Sequence, residues 1–343
     1  SGTSMDGVDA ILTDITDTCI APIAAVSIPY PAELLEKLHQ LCTVNPNEIN
    51  HLGQADRAVG LVFAEAVNKL LAQQHLSPAD IRAIGSHGQT VRHYPDGPPG
   101  HQDDNGFTLQ IGDPNTIATL TGIDVVADFR RKDIAYGGQG APLVPAFHAA
   151  RFAEAGEYRA IVNIGGFANI TVLEGVNAES IRGFDTGPGN TLMDAWCLQH
   201  LNQPFDRDGN WAASGTVNQP LLNSLLADPY FSDTGPKSTG REYFNLAWLR
   251  HHLHSLDTSI PAEDVQATLL ALTATTIANA IRALEQVQQC YVCGGGAFNG
   301  QLMAQLGQLL PNCAVKATDS LALHPQWVEG VAFAWLAWAY LHR

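Results

Sequence analysis

The sequence predicts an α/β protein built from two similar halves. Three observations carry that reading. Strand-like and helix-like stretches mix along the whole chain, the pattern of sheets covered by helices. Each half opens on a glycine-containing turn tied to a hairpin, which points to a duplicated architecture. The chain has 343 residues, more than one core usually fills, so two domains are expected.

The elements follow in order. Residues 8–15 place Val8, Ala10, Leu12 and Ile15 close to strand alternation. Residues 31–42 read as a helix. A longer one covers 52–75, where Leu52, Ala55, Val59, Phe63, Ala66 and Leu70 recur at helical spacing. Ser77 is placed to cap a further helix with Pro78 at its first position. Residues 83–86 form a short buried strand that runs into His87-Gly88-Gln89. Residues 94–106, rich in Pro, Gly and Asp, form a surface loop. Residues 107–111 are a strand, Asp113-Pro114 starts a helix, and Gly122 ends it. Residues 123–127 are another strand, ending at Asp128-Phe129-Arg130-Arg131.

The second half repeats the outline. Residues 160–164 and 168–173 are strands joined at Gly165-Gly166. Residues 180–184 are a strand meeting Asp185-Thr186-Gly187-Pro188-Gly189-Asn190, and a helix with Leu192, Met193, Trp196 and Leu201 inward follows. Residues 202–237 are irregular with short helices. Residues 261–285 are a strong helix; 289–293 are a strand leading through Gly294-Gly295-Gly296 into a helix that ends near residue 310. The last helix covers 328–341. Residues 1–127 with 322–343 are expected to form one domain and 128–321 the other.

Charge narrows the function. Lys+Arg 18 against Asp+Glu 34 gives a net charge of −16, the wrong sign for nucleic-acid backbone or an anionic membrane. Small phosphates are not excluded, because backbone N–H groups and a metal ion can hold them. No basic start with an apolar core is read as a secretory signal. Residues 286–315 lack Asp, Glu, Lys and Arg, but their Gln and Asn residues, Pro311 and three glycines make them unfit to span lipid. Six scattered cysteines do not make a disulfide framework. Cys290 and Cys293 share a predicted strand, face opposite ways and read as buried thiols. A reducing cytoplasm is the expected compartment.

The usual nucleotide signatures are missing. Gly235-Pro236-Lys237-Ser238-Thr239 has proline where a phosphate loop needs glycine, and Gly294, Gly296 and Gly300 miss the dinucleotide spacing by one. Three other glycine turns have the ingredients for phosphate. Ser1-Gly2-Thr3-Ser4-Met5-Asp6-Gly7-Val8-Asp9 offers backbone N–H groups and hydroxyls, and Asp6 or Asp9 could hold Mg²⁺ through water. Its bland reading is a polar terminus before a type I′ turn. Ile164-Gly165-Gly166-Phe167-Ala168-Asn169 is a second phosphate turn or a plain hairpin. Cys293 to Asn299 is a third, with a helix N-terminus expected behind the glycines. Asp185 at a strand end is either a general base or an N-cap. Glu329 is a pocket carboxylate or half of an ion pair. Arg130 and Arg131 suit an anionic group or a solvated surface pair. His251, His252 and His254 do not share one helical face and read as surface residues, not metal ligands.

Three glycine turns, each tied to a strand, in two similar halves resemble the superfamily of sugar kinases, acetate kinase, actin and chaperone ATPases. The nine-residue opening resembles the start of anhydro-N-acetylmuramic acid kinases. The likeness continues through Ser86-His87-Gly88-Gln89-Thr90, Gln110-Ile111-Gly112-Asp113, Ala127-Asp128-Phe129-Arg130-Arg131-Lys132-Asp133 and Asn163 to Ile170. Phe184 to Asn190, Cys293 to Asn299 and the Glu329 helix complete it in family order.

The resemblance implies a two-domain actin-like ATPase fold, with duplicated βββαβα-type domains and a cleft between them. It implies a cytoplasmic bacterial enzyme of cell-wall recycling. Such an enzyme converts 1,6-anhydro-N-acetylmuramic acid, ATP and water into N-acetylmuramic acid 6-phosphate and ADP, with Mg²⁺. By resemblance Gly2, Thr3, Ser4, Met5, Asp6, Gly7, Val8 and Asp9 contact the ATP phosphates. Gly165, Gly166 and Asn169 form the second phosphate turn, and Gly294, Gly295, Gly296 and Asn299 lie by the adenosine. Asp185 matches the general base and Glu329 an acidic residue near the sugar; both are expected to be catalytic. Gln89, Arg130 and Arg131 are the expected sugar contacts. The metal ligands and the oligomeric state stay open, a homodimer included. Family members usually carry an apolar strand before Ser-Gly-Thr-Ser; that strand is expected either to be missing or to lie upstream of Ser1. A kinase for an ordinary amino sugar would use the same carboxylate to take a hydroxyl proton.

Overall fold

The computed structural model describes residues 7–98, 105–177, 181–232, 239–240, 243–256, 259–284 and 286–342. Contacts divide the chain into Ser1–Leu143 with Glu329–Arg343, and Val144–Val328.

The first unit begins with β1 (Val8–Ile15) and β2 (Ile20–Ile28), an antiparallel pair with a register shift at Leu12/Thr13. α1 (Ala32–Leu41) and α2 (Glu48–Gln73) follow. Their inward residues Leu38, Ala55 and Val59 are fully buried and pack with Val8, Val26 and Ile117. The expected helix at Ser77 is one 3-10 turn, Pro78–Asp80, closed by a reciprocal Ser77–Asp80 capping box. β3 (Ile84–Gly85), β4 (Gln89–Tyr94) and β5 (Phe107–Ile111) come next. α3 (Pro114–Thr121) starts where Asp113 accepts hydrogen bonds from the N–H groups of Asn115 and Thr116. β6 (Val125–Val126) pairs parallel with β3, and β4 pairs antiparallel with β5. α4 (Phe129–Ala135) carries the Arg130-Arg131 pair. It packs against β5 and sets Phe129 5.4 Å from Phe333, so the Asp128 motif groups with the first unit and the division falls after Leu143 rather than after residue 127.

The second unit opens with α5 (Pro145–Phe152) and then builds one five-stranded sheet. β7 (Tyr158–Ile164), β8 (Phe167–Glu174) and β9 (Arg182–Pro188) run antiparallel in turn. β9 continues past Phe184, where the strand was expected to stop. α6 (Thr191–Leu201), α7 (Asn210–Ser214), α8 (Gln219–Leu226), α9 (Pro229–Ser232), α10 (Leu246–His254) and α11 (Ala262–Arg282) follow. β10 (Gln289–Cys293) pairs parallel with β7, then α12 (Gly300–Leu309) crosses to β11 (Ala314–Ala317), parallel to β10. The strand order β11-β10-β7-β8-β9 arises from a βββαβαβ succession, the βββαβα unit that the resemblance implies with one further strand, β11. The first unit shows three separate two-stranded ladders among its described residues. The core of the second unit lies between this sheet and α11, with Ile164, Ala168, Ile170, Leu272 and Ile277 at zero exposure.

α13 (Val328–Leu341) belongs to the first unit from Glu329 onward. Its backbone lies against Gly85, where a Cβ would strike the carbonyl of Phe333. Among the described residues no helix is long and apolar enough to cross a membrane. Cys290 and Cys293 are both buried in β10 as free thiols, and burial pushes the Cys290 thiol up.

Candidate functional site

The first glycine turn enters the described residues only at Gly7; Gly2, Thr3, Ser4, Met5 and Asp6 lie outside them. Gly7 sits tight on the β2 end, 2.6 Å from the Ile28 carbonyl to where a Cβ would be. Val8 is buried at the start of β1. Asp9 faces solvent, and its carboxylate accepts a hydrogen bond from the Ser27 hydroxyl across the β1–β2 ladder.

The expected sugar contacts of the first unit fall into two kinds. Gln89 is fully buried at the start of β4 and takes a hydrogen bond from the Tyr30 phenol at 3.2 Å. Arg130 is fixed by two bonds: its Nε donates to His87 Nε2 at 2.8 Å and a terminal nitrogen donates to the Gly140 carbonyl at 2.7 Å. His87 Nδ1 lies 2.8 Å from the Gly88 carbonyl. An imidazole that donates at Nδ1 and accepts at Nε2 is neutral, so Arg130 reads the tautomer. The ring stacks edge-on against Phe333 of α13 at 4.5 Å. Arg131 instead turns to the surface, where its side chain is 60% exposed and pairs with Asp128 three residues back. Glu329 stands half-buried in the first turn of α13. Among the described residues its carboxylate has no ion-pair partner.

In the second unit the glycine turns gather at one sheet edge. β7, β9, β10 and β11 point the same way, so their carboxyl ends share that edge, the usual ligand edge of an α/β sheet. β7 ends in Gly165-Gly166. The turn is clamped from the β9 side: Gly189 and Thr191 donate to the Gly166 carbonyl, and Asn190 donates to the Gly165 carbonyl at 2.8 Å. β10 ends in Gly294, whose φ is +78° and whose Cβ position is 2.5 Å from Asn163 Oδ1 and 2.7 Å from the Ile164 carbonyl. Only glycine fits there. Gly295 lies beside Asn190, 3.5 Å from its Nδ2 to a Cβ position.

Two expectations about this edge need correction. The helix expected directly behind Gly294-Gly295-Gly296 is a 3-10 turn, Gly295–Phe298. The α-helix starts four residues later, capped by Asn299, whose Oδ1 accepts from Leu302 N–H at 3.0 Å. Asn299 therefore works as a cap. Asp185 is not an N-cap either: α6 begins at Thr191 behind Asn190.

Asp185 lies within β9, paired with Asn169 on β8. The register shifts here, because Gly187 faces Ala168 and Asp185 faces Asn169, leaving Thr186 as the extra residue of a bulge. Thr186 donates its hydroxyl to the Ala168 carbonyl at 3.2 Å. The pairing puts Asp185 and Asn169 side by side on one face, and Asn169 Oδ1 is buried without a hydrogen-bond partner among the described residues. Asp185 is 9% exposed, and its Oδ2 accepts the Thr239 N–H at 3.0 Å. Thr273 of α11 donates its hydroxyl to the Pro188 and Gly189 carbonyls at 3.0 and 2.9 Å, fixing the segment that joins Asp185 to the glycine edge.

Sequence reading gave no role to Tyr230, Thr239 or Thr273. Each acts from 45 to 85 residues away in the chain, and no local pattern marks it. The histidines at 251, 252 and 254 lie in α10, where His252 is 2.9 Å from the Ser224 hydroxyl. Among the described residues no group of three or more His, Cys, Asp or Glu could hold a metal ion.

A buried carboxylate on a bulged strand, leading into glycine turns at the carboxyl edge of an α/β sheet, is the architecture of a phosphate-handling enzyme. The chain belongs to the anhydro-N-acetylmuramic acid kinase family, whose model matches residues 1–343. It is 57% identical over 337 residues to an anhydro-N-acetylmuramic acid kinase of Shewanella sp. strain ANA-3, covering 98% of this chain and 89% of that protein. Likeness to the enzyme of the same name in Shewanella denitrificans is 56% over 343 residues, covering 100% and 90%. Among solved structures, the activator of 2-hydroxyisocaproyl-CoA dehydratase from Clostridium difficile with bound ADPNP aligns at a TM-score of 0.47 and 12% identity, covering 98% of both chains.

Proposed function

We propose that this chain phosphorylates 1,6-anhydro-N-acetylmuramic acid with ATP while water opens the anhydro bridge, yielding N-acetylmuramic acid 6-phosphate and ADP in the recycling of bacterial cell wall. Family membership supplies the substrate. The observation that carries the mechanism is Asp185, a buried carboxylate fixed on the strand that leads directly into the clamped glycine edge.

The chemistry calls for such a group. In the anhydro sugar the 6-oxygen is an ether and has no proton to give up. Water attacks the anomeric carbon, the bond from that carbon to the 6-oxygen breaks, and Asp185 takes the proton of the water, as the base of an inverting glycosidase does. The released 6-oxygen takes the γ-phosphoryl group and ADP leaves. In the Gly165-Gly166 turn the Gly165 N–H already donates to the Phe167 carbonyl at 3.2 Å, so the Gly166 N–H is the donor of this turn for the transferring charge, where a preorganised donor acts most strongly. Glu329 serves as the second carboxylate near the sugar. Gln89 and Arg130 are the sugar contacts; Arg131, engaged with Asp128 at the surface, is the weaker of the expected set.

Mg²⁺ fits the donor set. The exposed Asp9 carboxylate would hold it through water. Such an ion neutralises phosphate charge. The proposed compartment is the cytoplasm, where ATP is present.

The test is Asp185→Asn, which preserves shape and removes the base. Turnover should fall by about 10² to 10⁴, the range a positioned base contributes. ATP affinity measured by calorimetry should stay within about threefold. Near-normal turnover would remove Asp185 from the base role.

A further inference from the structure

The Asp185 carboxylate does not stand on its strand alone. Thr239 N–H donates to its Oδ2 at 3.0 Å, and the Tyr230 phenol donates to its backbone carbonyl at 3.2 Å. Phe231 closes the same stretch from below. Gly187 has a φ of +139°, and the Phe231 ring lies 2.8 Å from where a Cβ would stand, so ring and strand touch directly.

One buried carboxylate organises these contacts. Asp228 is 9% exposed and accepts three hydrogen bonds: from Tyr230 N–H at 2.9 Å, from the Tyr243 phenol at 2.8 Å and from the Trp248 indole at 2.9 Å. None of the three donors is a cation; the charge is met by neutral donors. Phe244, 1% exposed, stacks on Phe231 at 5.6 Å and meets Tyr230 and Trp248 edge-on at 5.2 and 4.9 Å. The Tyr243 and Phe244 N–H groups both donate to the Gly240 carbonyl at 3.1 Å, which anchors the peptide next to Thr239.

We propose that Asp228, Tyr230, Thr239, Gly240, Tyr243 and Trp248 form a clasp that aims the Asp185 carboxylate, with Asp228 as its positioning residue. This rests on Asp185 being the base. The clasp acts through two bonds on Asp185 and one ring beneath Gly187, and it sets both the direction of the carboxylate and the ease of its ionisation. A backbone N–H on a carboxylate oxygen favours the charged form. Losing it raises the pH at which the base becomes available.

The neighbouring charges leave that reading intact. On the elements packed against β9, Glu174 of β8 pairs with Arg182 at the opposite end of the strand from Gly187. Glu263, Asp264 and Arg282 stand nine or ten residues along α11 from Thr273, about 14 Å by helical rise. Asp228 and Tyr243 bond each other, and His252 of α10, its ring 4.7 Å from Trp248, is the titratable group that feels the Asp228 charge; burial pushes its pKa down while that charge pushes it up.

The experiment compares wild type with Asp228→Asn, Tyr230→Phe, Thr239→Pro, Thr239→Ala and Asp185→Asn, each checked for folding by near-UV circular dichroism. Turnover is read with the anhydro sugar across pH, and ATP affinity by calorimetry. Asp228→Asn replaces one carboxylate oxygen by NH2, which in either orientation meets an N–H that cannot accept, the Trp248 indole or the Tyr230 backbone. Thr239→Pro deletes the donor on Oδ2. Both should lower kcat about 10- to 100-fold with ATP affinity within about twofold, the scale of a mis-aimed group. Thr239→Pro should also move the acidic limb of kcat/KM upward by about one pH unit, because it alone deletes the N–H on Oδ2; Asp228→Asn also removes a neighbouring negative charge, which acts the opposite way, so it is read by kcat. Thr239→Ala keeps the N–H and leaves the limb where wild type has it. Its hydroxyl has no hydrogen-bond partner among the described residues. Should Thr239→Pro fail to fold, Asp228→Asn and Tyr230→Phe decide: lowered kcat with ATP affinity kept supports the clasp, and wild-type kcat in both overturns it. An active Asp185→Asn enzyme would overturn the base reading itself, whereas an inactive one beside unaffected clasp variants would overturn the clasp alone.

Discussion

Gly165 and Gly166 separate two reasons for a glycine. A Cβ at Gly165 would meet only the Phe167 carbonyl at 3.7 Å, and at Gly166 only Thr191 Cβ at 3.9 Å. Those are ordinary contacts, and neither residue has a left-handed φ. The fold itself therefore accepts alanine at both places. Alanine there should stabilise the protein slightly, by about 0.4–1 kcal/mol, because it removes freedom from the unfolded chain. Gly294 is the opposite case. Its positive φ and the 2.7 Å approach to the Ile164 carbonyl make Gly294→Ala costly, about 2–5 kcal/mol from backbone strain plus overpacking. If Gly165-Gly166 cradles phosphate, the added methyl groups stand where the ligand approaches, and ATP affinity should fall about 10- to 100-fold, or about 1.4–2.7 kcal/mol. The assay is paired: urea unfolding for stability and calorimetry for ATP. Gly165→Ala and Gly166→Ala proteins that fold as well as wild type and bind ATP as tightly would refute the phosphate role of this turn.

Arg130→Ala should raise the KM for the sugar at least tenfold, because it removes a guanidinium fixed by His87 and Gly140; Arg131→Ala, which breaks only an exposed pair, should change KM less than twofold and stability by under about 0.5 kcal/mol. Tyr30→Phe leaves the buried Gln89 amide short of a donor and should cost about 1–2 kcal/mol in urea unfolding. His148 is fully buried beside Thr171, and burial pushes its pKa down to about 3. The folded state thus refuses a proton that the unfolded chain takes up below about pH 6.5. Stability should fall as pH drops through that window, by about 2 kcal/mol between pH 7 and pH 5 from this residue, and His148→Phe should flatten the slope. His93, also pushed down to about 4 by burial and by the nearby Arg130 charge, adds to the same trend.

Much of the frame is written locally in the chain. The spacing of Leu52, Ala55, Val59 and Phe63 marks a helix, and α2 carries them inward at Glu48–Gln73. The alternation at Val8 to Ile15 marks β1. Gly165-Gly166 between two apolar runs marks the hairpin of β7 and β8. Punctuation was harder. Asp185 followed by Thr-Gly-Pro-Gly-Asn looks like the end of a strand, because glycine and proline usually stop one. The strand continues because a bulge at Thr186 absorbs the irregularity and Thr273 of α11 receives the carbonyls of Pro188 and Gly189. The three glycines after Cys293 resemble a helix start, but Gly294 is held by contacts with β7, and the true cap is Asn299. Arg130 and Arg131 are adjacent and alike in sequence; only the long-range bond to His87 separates them. The contacts on Asp185 were invisible for the same reason. Tyr230 and Thr239 lie in a stretch rich in Asn, Asp, Gly and Pro, where local patterns say loop and tertiary partners decide the rest.

Under the proposed mechanism, ring opening by water and phosphoryl transfer occur in one coupled reaction. The protein, ATP, Mg²⁺ and 1,6-anhydro-N-acetylmuramic acid would be incubated in oxygen-18 water and the product weighed by mass spectrometry. Coupled chemistry yields one product, heavier than the substrate by one phosphoryl group and one labelled water, with the label on the anomeric oxygen. Unlabelled phosphorylated sugar with the anhydro ring intact, or turnover on N-acetylmuramic acid in place of its anhydro form, would contradict it.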